Sequence, residues 1–432
     1  MTFSTIGLSQ ALLAAVCAQG YRTPTPIQRA AIAPALDGRD VIGRAQTGSG
    51  KTLAFVLPLL QRLTVPSVGC GTPQALVLAP TRELAEQVGT TVRAIAGHLP
   101  QRIKISVVFG GVSINPQMMQ LRGGTNVIIA TPGRLLDLMS RNAVSLGSVK
   151  LLVLDEADRL LDLGFSNEVQ EILAQLPAER QSLFFSATFN ASVQTLADQI
   201  LNNPVWAKVD NYDVYPAKIT QRAFEVDTGQ RARLLRHLIA EYGWTRVLVF
   251  VATKYSAEMV ADKMRRAGLK AEPFHGALGQ GKRTQVLMDF KASRLDLVVA
   301  TDLAARGLDI AELPVVVNFD LPRSPRDYIH RIGRTGRSDF PGLAISFVNK
   351  QSISLFGLIK KRLQFELPLE QVLGFESQQS SEAAPTSNSP DNGGVKGRRM
   401  SKKDKVRAAL DKSMQSAILP SKSVVSGRPA LN

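Results

Sequence analysis

VIGRAQTGSGKT, residues 41–52, decides the architecture. An apolar run enters a glycine-rich turn, and LAFVLPLLQRL (53–63) follows with apolar residues at helical spacing. Strand, tight turn and helix open an α/β unit. Gly48 and Gly50 let the backbone wrap phosphate oxygens, and backbone N–H groups with the helix N-terminus favour an anion. Thr47, Gly48, Ser49, Gly50, Lys51 and Thr52 are therefore the candidate phosphate ligands, with Lys51 reaching the outer phosphates and Thr52 ligating Mg²⁺. Ala45 stands where the pattern G-x-x-x-x-G-K-[ST] has its first glycine, so the loop departs from it there.

Outward from this unit, short apolar runs alternate with longer amphipathic segments. In the first half they are DVIGRA (40–45), ALVLAP (75–80), ISVVFG (105–110), NVIIAT (126–131), LLVLDE (151–156) and SLFFSAT (182–188). In the second half they are RVLVFVAT (246–253), AEPFHG (271–276), LDLVVAT (295–301), VVVNFD (315–320) and LAISFV (343–348). That rhythm predicts parallel sheets covered on both faces, with ligands at the carboxyl ends of strands. Domains of 1–208 and 218–370 are expected, joined by a linker over 209–217 that contains DNYDVYP. Residues 371–432, rich in Ser, Gln, Pro, Gly and Lys, read as a disordered basic tail with a short helix over Lys402–Ser416.

Composition narrows the partner. Of 432 residues, 52 are Lys or Arg and 36 Asp or Glu, a net charge of +16 that points to a polyanion, nucleic acid before membrane. The same charge also fits a basic solubility tail. Cys17 and Cys70 are the only cysteines, which excludes a disulfide framework or a cysteine-rich zinc site. No secretory leader and no apolar run near the roughly 18 residues of a membrane helix is visible, so a cytoplasmic location is expected.

LLVLDEADRLLDLGF (151–165) then raises a problem: an apolar strand runs into Asp155, Glu156 and Asp158. Carboxylates this close raise each other's pKa unless a cation relieves them. Beside a phosphate loop that cation is Mg²⁺, which keeps several waters, so Asp155 would hold it through one. Glu156 would orient or deprotonate the attacking water, and Asp158 would pair with a neighbouring strand end. Asp162 reads as a solvated helix residue.

With these motifs in hand, the chain resembles the DEAD-box RNA helicases of superfamily 2 over roughly residues 1–370. The resemblance rests on AQTGSGKT (45–52), DEAD (155–158), PTREL (80–84), GG (110–111), TPGR (131–134), SAT (186–188), ATDLAARGLDI (300–310), HRIGRTGR (330–337) and GYRTPTPIQ (20–28). VVFGGVSINPQMMQLRGG (107–124) is most similar to the bacterial RhlE-type subfamily. The resemblance implies two tandem RecA-like domains, ATP and Mg²⁺ between them, RNA across both, and a monomer that hydrolyses ATP while separating short duplexes or remodelling RNA–protein complexes. Proteins of ribosome assembly or RNA decay are the partners such work would bring. The RNA target, and the choice among ribosome assembly, mRNA decay and cold adaptation, stay open.

The resemblance also assigns residues. Gln28 would read an adenine edge, as amides do elsewhere, with Tyr21 against the base and Phe3 supporting it; core packing is the alternative for both aromatics. Arg334 and Arg337 match arginine-finger positions, worth about 10³–10⁵ in rate in the enzymes that use them. His330 would relay to Ser186 and Thr188 or simply pack, and Asp309 would hold the ribose or cap a turn. For RNA the candidates are Pro80, Thr81, Arg82, Gly110, Gly111, Thr131, Gly133 and Arg134, then Thr253, Gln280, Arg283, Thr301, Asp302, Arg306 and Gly307. Thr131 is equally placed to cap a helix, and Arg306 to couple to Asp155 or Asp158. Gly279, before Gln280, stands where Ser or Pro is expected and should loosen the helix start. His237 and His275 read as packed or solvated. The tail would add salt-dependent RNA affinity.

Overall fold

Among the described residues there are two seven-stranded sheets, and every strand pair in both is parallel. The computed structural model describes residues 2–45, 48–64, 71–208, 219–305, 313–336 and 341–376. The expected linker at 209–217, the tail from 377 and the helix over 402–416 lie outside them.

The first sheet comprises β1 (Val41–Arg44), β2 (Ala75–Leu78), β3 (Ile105–Val108), β4 (Val127–Ala130), β5 (Leu151–Leu154), β6 (Gln181–Ser186) and β7 (Val205–Lys208), in the order β3-β4-β2-β5-β6-β1-β7. The second comprises β8 (Ile219–Glu225), β9 (Val247–Val251), β10 (Ala271–Phe274), β11 (Leu297–Thr301), β12 (Val315–Asn318), β13 (Gly342–Val348) and β14 (Leu369–Glu370), in the order β10-β11-β9-β12-β13-β8-β14. Counted within each sheet, the two orders are identical.

The apolar runs become central strands because helices cover both faces, so consecutive residues are buried on opposite sides. In β2, β4 and β5, Val77, Ile129 and Val153 join one core cluster, whereas Leu76, Ile128 and Leu152 join another. In the second lobe Val249, Val299 and Val317 face one core, and Leu248, Val298 and Val316 the other.

Three strands depart from the expectation. β7 (VWAK), β8 (ITQRAFE) and β14 (LE) were not anticipated; each is an edge strand or lies next to one, and none has a continuous buried run. The expected boundary at 371 also moves, because Val372 and Phe375 pack against the second lobe's core. Among the described residues no helix is long and apolar enough to cross a membrane.

The strand order sorts the motifs. β5, β6 and β1 are neighbours, so the phosphate loop, the 155–158 acids and SAT share one part of the carboxyl edge. β3, β4 and β2 are neighbours too, which gathers GG, TPGR and PTREL on the other part.

Candidate active site

The phosphate loop is anchored from two sides. Ala45 N donates to Ser186 O across the β1–β6 pair (3.2 Å). Gly48 and Gly50 have φ of +85° and +93°, conformations that L side chains rarely adopt. Gly50 has a second reason to lack a side chain, since a Cβ there would collide with Gln28.

Gln28 belongs to helix Pro26–Leu36 and forms a capping box with Thr25. Its Oε1 accepts from Thr25 N (2.9 Å) and its Nε2 donates to Gly50 O (3.0 Å), with the residue 2% exposed. One N–H and one lone pair remain, which still suits an adenine edge. The amide assigned to base reading therefore also holds the phosphate loop. Phe3 is buried in the first lobe's core, whereas Tyr21 is 40% exposed and free to offer a ring face.

Lys51 opens helix Lys51–Leu63, and its Nζ is buried without a hydrogen-bond partner. Thr52 follows it. Asp155, just beyond β5, is buried. Burial pushes its carboxyl up to about 6; Lys51 draws it down, Glu156 pushes it up, the 2.9 Å bond from Glu156 N draws it down, and Asp158 pushes it up. Glu156 adopts φ +50°, an uncommon conformation for a residue with a side chain, and its carboxylate lies 3.3 Å from Arg159 Nε. Asp158 accepts from Thr188 N (3.1 Å) and Oγ1 (2.9 Å), and Ser186 Oγ donates to Thr188 O (2.7 Å). The last acid of the DEAD stretch is thus tied to SAT on the adjacent strand end.

A buried ammonium without a partner, beside a buried carboxylate held above its ordinary range, suits a triphosphate with a divalent cation. Among the described residues no cluster of three or more His, Cys, Asp or Glu is arranged to hold a metal. The ion that fits is a hard one that takes few protein ligands and completes its shell with phosphate oxygens and water, as Mg²⁺ does.

On the other half of the carboxyl edge, the loops brace one another. Thr81 caps helix Arg82–Ala96 through Leu84 N (3.3 Å), directly after buried Pro80. The Arg82 guanidinium packs where a Cβ on Gly111 would be, at φ +77°. Gly110 N donates to Thr131 Oγ1 (3.4 Å), so this hydroxyl links GG to TPGR while its residue precedes helix Pro132–Ser140. The helix start leaves the amides of its first turn, Gly133 included, without intrahelical partners. Arg134 is 7% exposed and donates to Val112 O (2.8 Å); it braces the GG loop from within instead of facing outward. Gln117, which sequence reasoning missed, clamps Phe109 by its N–H and its carbonyl (3.2 and 3.1 Å).

In the second lobe Thr253 is exposed and caps helix Lys254–Arg266 through Ser256 N (3.0 Å). Thr301 ends β11. Asp302 lies half-buried and takes Arg331 in a two-pronged pair (2.6 and 2.6 Å), so its carboxylate is engaged within the lobe. Gly279 precedes helix Gln280–Lys291 and supplies no side-chain cap. Gln280 and Arg283 meet the first lobe: Arg82 Nη1 donates to Gln280 Oε1 (3.3 Å), and Arg283 Nη2 lies 2.9 Å from Glu83 Oε1. Burial depresses the Arg283 pKa, Glu83 opposes that, and Arg82 adds to it. Residues assigned to RNA thus clasp each other across the lobes. His275 is buried on Glu258 (2.8 Å) and His237 lies near Glu241 (3.2 Å).

Arg159 of the first lobe lines one narrow cleft with Asp302, His330, Arg331 and Arg334 of the second. Arg334 is buried within the motif that follows helix Pro325–Ile332. Thr47, Arg306, Gly307, Asp309 and Arg337 lie outside the described residues.

Comparison with known proteins agrees with this geometry. Residues 25–196 match the family model of the DEAD/DEAH box helicase, and residues 230–339 that of the helicase conserved C-terminal domain. The chain is 40% identical over 352 residues to the DEAD-box ATP-dependent RNA helicase CshA of Geobacillus kaustophilus, covering 82% of this chain and 74% of that one. Against the protein of the same name from Bacillus cereus it is 41% identical over 347 residues, covering 80% of this chain and 65% of that one. Among solved structures, S. cerevisiae Dbp5 bound to RNA and ADP BeF3 is similar with a TM-score of 0.77 at 32% identity, over 86% of this chain and 95% of that one.

Proposed function

The chain belongs to the DEAD-box ATP-dependent RNA helicases, and from that premise we propose how its own residues divide the work. The reaction is RNA-stimulated hydrolysis of ATP to ADP and phosphate, coupled to local separation of short duplexes or remodelling of RNA–protein complexes.

Gln28 and Tyr21 select adenine, with Gln28 signalling occupancy to the loop through Gly50 O. Lys51 and the backbone around Gly48, Ser49 and Gly50 take the outer phosphates. Thr52 and Asp155 would hold Mg²⁺, which when bound neutralises phosphate charge. Glu156, held by its left-handed backbone, orients the attacking water. Asp158 passes the state of this site to Ser186 and Thr188 over bonds already present. Arg334 and Arg337 from the second lobe stabilise the transferring phosphoryl group, and Asp309 holds the ribose.

RNA phosphates and sugars lie on the β3-β4-β2 edge and the matching edge of the second lobe. The arrangement supports three kinds of role there. Pro80, Thr81, Gly110, Gly111, Thr131, Gly133, Thr253, Thr301, Arg306 and Gly307 are the contacts. Arg134 and Asp302 position loops. Arg82, Gln280 and Arg283 join the lobes.

The observation that carries the proposal is the shared cleft: Arg159, one residue beyond the DEAD tetrad, faces His330, Arg331 and Arg334 from the other lobe. The test is ATP turnover with and without single-stranded RNA, beside matched DNA. Lys51→Ala and Arg334→Ala should each remove the RNA-stimulated rate while DNA gives no stimulation. Equal stimulation by DNA, or an Arg334→Ala enzyme of normal rate, would contradict the proposal.

The same reading takes the protein as a cytoplasmic monomer whose 376–432 segment adds salt-dependent RNA affinity. Its companions would belong to ribosome assembly or RNA decay. An RhlE-type assignment rests on residues 107–124 alone, since the relatives above carry another name.

A further inference from the structure

The second lobe carries a cleft of about 520 Å³ that none of the helicase motifs uses. It lies between helix Arg231–Tyr242, the turn after helix Lys254–Arg266, and Phe375. Buried Ile239 and half-buried Leu269 give it an apolar floor, and exposed Arg233, Arg236, His237 and Ala240 line its mouth.

Its place follows from the topology. Helix Lys254–Arg266 leaves the carboxyl end of β9 and returns to the amino end of β10, since these strands are parallel members of one sheet. Leu269 therefore sits at the amino edge, away from Thr253, Thr301 and the cleft that receives nucleotide and RNA.

The rim has cations to spare. Arg233 is exposed, bonds Gln230 (2.9 Å) and lies 5.9 Å from the Phe375 ring centroid. Arg236 is exposed and has no ion-pair partner among the described residues. The His237 ring is 5.4 Å from Phe375. On the neighbouring helix Arg265 and Arg266 share the single carboxylate of Asp262. The carboxylates nearest this rim are Glu241, 3.2 Å from His237, and Glu376, which follows Phe375 and accepts from Gly374 N.

The chain's own tail does not suit such a rim, because residues 376–432 hold ten Lys or Arg against five Asp or Glu. Nor does the floor suit RNA bases, which stack on open aromatic faces. Here the floor is aliphatic, and Phe375 is already flanked by His237 and Arg233. The chain shows the matching chemistry on a small scale: an aromatic residue followed by Glu376 lies against this helix.

We propose that this cleft docks an acidic segment of a partner protein, its carboxylates on Arg233 and Arg236 and an apolar side chain on the floor beside Ile239 and Leu269. Such a segment would tether the partner without covering the ATP and RNA edge.

The test uses the full chain and a fluorescent twelve-residue peptide, Asp-Glu-Phe-Asp-Glu-Leu repeated twice, followed by anisotropy. A control peptide carries Ser in place of Phe and Leu. Arg233→Glu with Arg236→Glu should weaken binding by about tenfold or more, as loss of paired charges at a docking site does. Ala240→Trp, which blocks the cleft's mouth from an exposed position without altering charge, should weaken it by about the same factor. The serine peptide should bind about tenfold more weakly than the parent, and the RNA-stimulated ATPase should stay unchanged in both variants. Equal binding of the two peptides, or parent binding that ignores Ala240→Trp, would mean only general attraction to a basic protein and overturn the proposal. So would arginine variants that lose affinity for polyuridine yet keep the peptide, which would make the face an RNA surface.

Discussion

The two lobes share one strand order yet treat the same position in opposite ways. In the first, Lys51 opens the helix after β1 and Asp155 follows β5. The ammonium is buried with no hydrogen bond, and the two charges act on each other without a direct bond. In the second, Arg231 opens the helix after β8 and Asp320 follows β12, but here the pair is closed at 2.6 Å. Arg231 also donates to Phe319 O (2.7 Å), and the other Asp320 oxygen accepts from Ala252 N (2.8 Å). One scaffold position is left for a ligand's charge; its twin is filled by the chain's own. The proposed nucleotide site is thus a pair of charges kept from satisfying each other.

The sharpest way to break that comparison is to delete both cations in turn. Lys51→Ala should lower RNA-stimulated ATP turnover by about 10²–10³, the usual loss for one preorganised charge donor, with the melting temperature nearly unchanged. Arg231→Ala should do the reverse. It leaves Asp320 partly buried and unpaired, at roughly 2–3 kcal/mol of stability, while turnover of the folded enzyme stays close to normal. Turnover lost in Arg231→Ala without loss of stability would end the idea that the second pair is structural.

Asp155→Asn sharpens the same contrast. A carboxyl raised from 3.8 to about 6 is harder to ionise in the folded chain than in the unfolded one. Its penalty on ligand-free stability is thus absent below pH 4, grows as pH rises, and is complete above about pH 6. The substitution should make the ligand-free protein more stable than wild type at pH 7, by on the order of 3 kcal/mol, with the difference gone well below pH 4. It should also abolish ATP turnover. A wild type that melts higher than Asp155→Asn at pH 7 would show that the lobe already satisfies this carboxylate internally.

Between the lobes, Glu83 and Arg283 can be exchanged. Either single change, Glu83→Arg or Arg283→Glu, should raise the RNA concentration for half-maximal ATPase by about tenfold, and the double swap should recover most of it, a coupling of about 2–3 kcal/mol. Failure of the swap to recover would assign each residue a separate contact instead of a clasp.

These contrasts also show what a linear chain discloses. The central strands were legible because residues such as Val77 and Leu76 are buried on opposite faces, giving unbroken apolar runs. β8 was not, since ITQRAFE is half-exposed and mostly polar, and β14 is two residues long. Lys51, Asp155 and Glu156 stand out in the sequence because the phosphate loop and the paired acids have local chemical reasons. That Arg134 also braces the GG loop was not legible, because nothing in TPGR says that Val112 O lies beneath it. The Arg283–Glu83 contact joins residues 200 apart in sequence, and only the folded arrangement of two lobes brings them together. Gln28 was half-read: its amide suits adenine, but its grip on Gly50 depends on how helix Pro26–Leu36 lies on the loop.

The smallest difference is between two helix starts that meet across the lobes. Helix Arg82–Ala96 is capped by the Thr81 hydroxyl, whereas helix Gln280–Lys291 begins after Gly279 with no side chain to accept its free amides. Gly279 has φ −60° and ψ 149°, which any residue adopts, and a Cβ there meets nothing within 4 Å. Gly279→Ser should therefore add the missing acceptor without strain and stabilise the second lobe by a few tenths of a kcal/mol. It should also steady Gln280 and Arg283, the pair that reaches Arg82 and Glu83. If the looseness at Gly279 serves closure, the serine variant will melt slightly higher yet turn over more slowly at saturating RNA. If it serves nothing, the rate will stay level while stability rises. Thermal melts beside saturating-RNA ATPase assays separate the two, and a serine variant that melts lower would show that the helix start is already satisfied.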